Sequence, residues 1–192
     1  MIFVLKLVVY FLLWTLWSYT MHVIAHTNFK YNFIRYFHLK HHAYDYGESQ
    51  LPPWHDYLFW FGDWKSSMDV YITFTIPLII LTIFEPVYGG ILLAFHYIYE
   101  VFLSRNVLDH NPNITGNITR FIPIGKFHLC HHHNVKCNFS FYITLWDYLF
   151  RTNDAWVLRR RYERQKQRQQ GKLPPLPTSH RQTRVHDERY SG

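Results

Sequence analysis

Residues 2–21, IFVLKLVVYFLLWTLWSYTM, carry a single charge, Lys6, and constrain the fold more than any other stretch. A run of that length crosses a hydrocarbon core of about 30 Å as a helix. No small-residue cleavage site follows it, and it runs straight into His22, so it reads as a transmembrane helix rather than a signal peptide. Residues 68–104 hold two more apolar runs, VYITFTIPLIILTIF and VYGGILLAFHYIYEVFL, separated by Glu85 and Pro86. Each run has roughly 17 residues and covers about 26 Å, which only just spans, so the pair is either two crossings or a re-entrant hairpin. Pro77 is placed to kink the first arm, and Pro86 fits a turn with Gly89 and Gly90 just beyond it. Either way the chain returns to the side it left.

The overall hydropathy resembles that of a soluble protein only because a polar tail and polar histidine segments dilute these runs. Aromatic residues make up 20% of the chain and crowd beside the apolar runs, as in membrane and interfacial proteins. The expected fold is an all-α integral membrane protein of about three transmembrane or re-entrant helices with a cytosolic, histidine-rich helical cap. Residues 1–154 form one membrane-embedded domain, and residues 155–192 form a basic tail, a short helical extension fading into disorder.

The tail holds ten Lys or Arg against three Asp or Glu, a difference of +7 that equals the formal charge of the whole chain. Positive residues near membrane helices favour the cytoplasmic side. That places residues 22–67 and 105–192 in the cytoplasm of either an endoplasmic reticulum or a bacterial membrane. Cys130 and Cys137 agree with a reducing compartment, whereas use of the sequons at Asn113, Asn117 or Asn138 would reverse the orientation. The tail reads as a solvated topogenic segment, or as one attracted to anionic headgroups. It lacks a folded element for reading nucleic acid, and His180 and His186 within it are given no role.

Three short histidine boxes lie on that one side: HVIAH with His22 and His26, HLKHH with His38, His41 and His42, and HLCHH with His128, His131 and His132. On a helix, residues three and four apart share a face, so each box aims two or three imidazoles at one region. Packing alone would not concentrate so many side chains that each need partners for two nitrogens. The pattern points to metal. There is no HExxH, and the two cysteines lack CxxC spacing. Eight imidazoles exceed one tetrahedral zinc and suit two ions of higher coordination number, with which iron is compatible.

The order HxxxH, HxxHH, HxxHH, followed by TLWDYLFRT from Thr144 to Thr152, resembles the fatty acid hydroxylase superfamily of membrane non-haem di-iron enzymes, which includes sterol desaturases. The likeness covers about residues 15–152, and the twelve-residue step from His26 to His38 favours this group over acyl-CoA desaturases. The resemblance implies an iron-dependent lipid monooxygenase or desaturase. Two iron ions would be held by His22, His26, His38, His41, His42, His128, His131 and His132, with His110 as a ninth ligand, and no other catalytic residue is implied. Its substrates would be O2 and a fatty acyl chain or sterol. Electrons would come from a separate donor, cytochrome b5 or a ferredoxin with a reductase, since no such domain is fused here.

Two positions depart from the family pattern: Asn106 stands where a further histidine often precedes His110, and Arg151 replaces the glycine of the closing motif. His96 and Glu100, one turn apart in the third apolar run, are additional candidates, either as a ligand oriented by a carboxylate or as a polar contact between helices. His133 and His55 are weaker candidates, and Cys130 reads as packing. The rivals are a family member that has lost catalysis and a non-catalytic metal carrier or store. A carrier would place its histidines near the bilayer midplane rather than beyond the helix ends.

Overall fold

A computed structural model describes residues 1–43, 47, 49–170 and 174. Among them every regular element is helical. In chain order these are α1 (Ile2–Ala25), α2 (Phe33–His42), α3 (Trp54–Tyr57) and α4 (Trp64–Val70), which runs through a π turn (Tyr71–Thr75) into α5 (Ile76–Phe84). Next come α6 (Pro86–Ile98), continued by a π-helical stretch (Tyr99–Asp109), a 3₁₀ turn (Asn117–Arg120), α7 (Lys126–His133), α8 (Leu145–Leu149) and α9 (Asp154–Gln169).

Three continuous helical lengths, Ile2–Ala25, Trp64–Phe84 and Pro86–Asp109, are long and apolar enough to cross a membrane. The second and third are longer than their apolar runs, because turns such as Trp64–Asp69 and Ser104–Asp109 extend them with polar residues. With 21 and 24 residues they reach about 32 and 36 Å, enough for each arm to cross.

Pro77 widens its arm rather than breaking it. It has no N–H for the carbonyl four residues back, and the π turn lies immediately before it, with helical dihedrals on both sides. The carbonyls of Ile72 and Phe74 in that turn accept from the indoles of Trp17 (3.2 Å) and Trp14 (3.0 Å), which fastens α1 to the arm. Gly89 lies inside α6, and a Cβ there would sit 2.4 Å from the Thr82 backbone, so it lets α5 and α6 touch. At the turn between them, Glu85 accepts from Tyr10 (2.9 Å) and Lys6 (3.3 Å), tying the hairpin tip to the start of α1.

Trp14, Phe74, Leu78, Leu92, Tyr99 and Tyr142 form the main core, and Tyr19, Phe139 and Trp146 form a second cluster. Facing outward are Ile79, Ile83 and Phe84 on α5 and Val87, Ile91 and Ile98 on α6, an apolar coat suited to lipid. Residue contacts divide the chain into two units, Met1–Val157 and Leu158–Gly192, and all three histidine boxes belong to the first. Helix α9 continues to Gln169; the expected disorder of the tail, with His180 and His186, falls outside the described residues.

Candidate metal centre

Local structure brings the boxes together at the end of α1 opposite the Glu85 turn. His22 sits in the last turn of α1, and His26 is its C-terminal cap. Asn32 then reverses the chain. Its amide nitrogen donates to the carbonyls of Ile24 (2.6 Å) and Thr27 (2.8 Å), while its oxygen caps α2 by accepting from the Arg35 amide (3.0 Å). Helix α2 carries His38, His41 and His42, and α7 carries His128, His131 and His132. The stretch Tyr99–Asp109 breaks at Arg105, where ψ is −124°, and ends on His110 as its cap.

The boxes do not stay intact as ligand sets. His22, His26, His38, His42 and His131 converge in one group, and His41, His110, His128 and His132 in another, each with its nitrogens within 4.8 Å of one another. Helix geometry explains the sorting. Residues four apart, such as His38 with His42 and His128 with His132, point the same way, while the member three residues on is turned aside into the other group. The groups adjoin, with the rings of His42 and His132 centred 4.5 Å apart.

Hydrogen bonding on the outer sides of the rings fixes what they offer inward. His22 Nδ1 lies 2.7 Å from the Phe139 carbonyl, and His131 Nδ1 lies 2.7 Å from the Cys137 carbonyl. A carbonyl only accepts, so each Nδ1 carries the hydrogen and each Nε2 presents a lone pair. His38 Nδ1 is held in the same way by the buried Asp69 carboxylate at 3.0 Å. Yet His22 Nε2 and His131 Nε2 are only 2.8 Å apart, and the other close Nε2 pairs in this group are at 3.0–3.2 Å. Lone pairs at that distance repel one another unless a cation draws them together. Two imidazoles about 2.1 Å from one ion and at right angles lie about 3 Å apart, so the donor set fits a metal ion. The second group has the same spacing, with His132 Nε2 at 3.0 Å from His128 Nε2 and 3.2 Å from His110 Nε2.

Burial, reinforced by neighbouring imidazoles, pushes the ring pKa of His26 and His42 down to about 2, of His110 to about 3 and of His132 to about 4. His41, His128 and His131 are held well below the ordinary histidine range, chiefly by burial. At neutral pH these rings are uncharged, the form that binds metal.

The closing run from Thr144 to Thr152 supports the five-histidine group from behind. Asp147, fully buried, accepts from the Phe139 amide (2.9 Å), the Ser140 amide (2.7 Å) and the Thr152 hydroxyl (2.6 Å). This fixes the loop whose carbonyls hold His22 and His131, and the Tyr19 hydroxyl, 2.9 Å from Thr152, links the loop to α1. Arg151 adopts a left-handed backbone with φ of 57°, so the turn a glycine would make is kept despite the substitution. Beside the four-histidine group lies a cavity of about 70 Å³, lined in part by His41, His110, His128, Val70, Phe74 and Phe141.

The other candidates lie outside both groups. His96 is fully buried, with Nε2 at 3.0 Å from the Thr75 hydroxyl and Nδ1 at 2.9 Å from the Tyr142 hydroxyl. Tyr142 donates in turn to Glu100 (3.1 Å), whose carboxylate is 3.9 Å from His96. The pair is thus linked through a tyrosine, while Glu100 itself lines the cavity. Asn106 donates to the Gly47 and Ser49 carbonyls at 2.7 and 3.1 Å, and His55 Nδ1 faces the Trp60 carbonyl at 2.7 Å. His133 is the last residue of α7 and joins neither group. The supporting roles of Asp69 and Asp147 were not read from the sequence. Asp147 lies inside the closing run from Thr144 to Thr152, but no spacing links either carboxylate to a histidine.

A family model described as fatty acid hydroxylase matches residues 7–152, which include both histidine groups. No curated protein and no solved structure matches the chain.

Proposed function

The chain belongs to the fatty acid hydroxylase family, and on that premise we propose that it is a membrane di-iron oxygenase that hydroxylates or desaturates a lipid, either a fatty acyl chain or a sterol. The observation that carries this reading is the pair of adjoining all-histidine groups, one of which opens on a cavity. The nine histidines of the two groups are the proposed ligands, and imidazole suits iron. Two bound irons would supply the redox chemistry that lets O2 attack an unactivated C–H bond.

The protein's part is positional. The Phe139 and Cys137 carbonyls and Asp69 hold three rings in one tautomer, so their Nε2 lone pairs stay aimed inward. Val70, Phe74 and Phe141 give the cavity one apolar side against which a hydrocarbon segment would rest, while Asp56, Glu100, Arg105 and Asp109 make another part of its lining ionisable. The cavity touches the four-histidine group, which supports a reacting carbon on that side. The basic tail orients the histidine-bearing end toward the cytoplasm, where a separate cytochrome b5 or ferredoxin with its reductase delivers electrons. The membrane domain ends near residue 154.

Lipid profiling of cells that express the native chain or its His131→Ala variant tests the reading. An oxygenated or newly unsaturated lipid is expected with the native chain alone. If the native chain binds iron in those cells and the two lipid profiles are the same, the enzyme reading fails in favour of a non-catalytic metal protein.

A further inference from the structure

Helix α9 carries a surface that the proposed oxygenase chemistry does not use. Leu158, Tyr162 and Gln165 follow one another by four and three residues and so form a single stripe. The stripe is uncharged, and its two large members are exposed, Leu158 at 57% and Tyr162 at 69%. Cations border it on both sides, Arg161 and Arg168 along one edge and Arg159 and Lys166 along the other. The acid of this segment, Glu163, lies off the stripe and pairs with Arg159 at 3.0 Å. Asn153 and Asp154 secure the start of the helix by accepting from the Trp156 and Ala155 amides, so the stripe sits on a capped helix.

An uncharged stripe with a leucine and a tyrosine, edged by long cationic side chains, matches a bilayer interface. The apolar residues enter the headgroup boundary, and the lysine and arginine stems reach outward to phosphates. Each basic residue near an anionic surface adds to the attraction, and on the cytoplasmic orientation proposed above, on which this inference rests, the facing leaflet is the anionic one. The helix is also tethered directly to a unit with three candidate membrane spans, which keeps the bilayer surface at high effective concentration. An acidic soluble protein would meet the same charges but has no such tether to the helix, whereas the bilayer crossed by the attached spans is always at hand. We propose that α9 is an interfacial helix that docks its Leu158 and Tyr162 stripe on anionic phospholipid headgroups.

Hydrogen exchange of the full-length protein in lipid nanodiscs tests this. In discs containing phosphatidylserine, the amides of Leu158–Arg168 should exchange at least about tenfold more slowly than in pure phosphatidylcholine discs, and high salt should abolish the difference. The double variant Leu158→Glu with Tyr162→Glu should lose the protection while α1 stays protected. A Leu158→Ile with Tyr162→Phe variant should retain it, which separates loss of docking from loss of the helix. Equal exchange of the native chain in the two kinds of disc would overturn the proposal. So would protection that appears in neutral discs on adding a soluble acidic protein but never with anionic lipid alone.

Discussion

The two histidine groups are drawn from overlapping boxes and differ in how they are held. In the five-histidine group, His22, His38 and His131 are fixed from behind by Phe139, Asp69 and Cys137, and His22 and His131 are essentially without exposure. The four-histidine group has one imidazole fewer, and three of its members line a cavity. One group is over-determined and closed; the other leaves room for further partners. A shared spacing pattern therefore yields two unlike environments, and the difference comes from the elements packed around them.

Removing one proposed ligand from each group tests that contrast most severely. His41→Ala leaves three imidazoles beside an open cavity, so it should release that ion and lower activity by more than about a hundredfold. His26→Ala leaves four, three of them still pinned, so its group should keep its ion with affinity weakened only about 10- to 100-fold. Metal content after dialysis against graded chelator reads both. Equal losses from the two variants would remove the distinction between a closed and an open group.

The support behind the closed group gives a smaller and more selective effect. Asp147→Ala leaves the Phe139 and Ser140 amides and the Thr152 hydroxyl without their acceptor in a buried place. Each such group costs about 1–3 kcal/mol, so a loss of at least about 3 kcal/mol in stability is expected, seen as a lowered Tm. Because the loop carries the carbonyls that orient His22 and His131, the same variant should weaken the five-histidine ion and leave the affinity of the other nearly unchanged. Parallel weakening at both sites would mean that the loop serves the fold at large rather than one group.

Much of this was legible in the sequence, and the reason is periodicity. Long apolar runs demand spanning helices, and three- and four-residue steps put imidazoles on one face, so the helical class and the box residues could be read directly. The four-residue steps keep His38 with His42 and His128 with His132, but how members of different boxes combine into groups could not be read, because it depends on where α7 settles against α2 and on the break at Arg105 that delivers His110. Asp69 was invisible for a similar reason. It lies 31 residues from His38, in the polar first turns that lengthen the second arm beyond its apolar core. For His96 and Glu100 the four-residue step left open a carboxylate-oriented ligand or a polar contact between helices, and what it could not show is Tyr142, 42 residues after Glu100 in sequence, whose hydroxyl bonds both side chains.

The smallest effect tests the backbone of the closing turn. Arg151 occupies a left-handed conformation with φ of 57°, while its guanidinium lies 5.0 Å from the centre of the Trp156 ring. Glycine would remove the steric penalty and lose the ring contact; alanine would lose the contact and keep the penalty. Arg151→Gly should therefore be more stable than Arg151→Ala by about 1 kcal/mol, and should lie within about 0.5 kcal/mol of the native chain because its gain and loss offset. Thermal unfolding of the two variants measures the gap, and identical melting would show that the turn does not need the left-handed backbone. Arg151 immediately precedes Thr152, whose carbonyl accepts from the Asn138 amide and whose hydroxyl bonds Asp147 behind the closed group. Any change in metal affinity should therefore be larger at the five-histidine ion than at the four-histidine one.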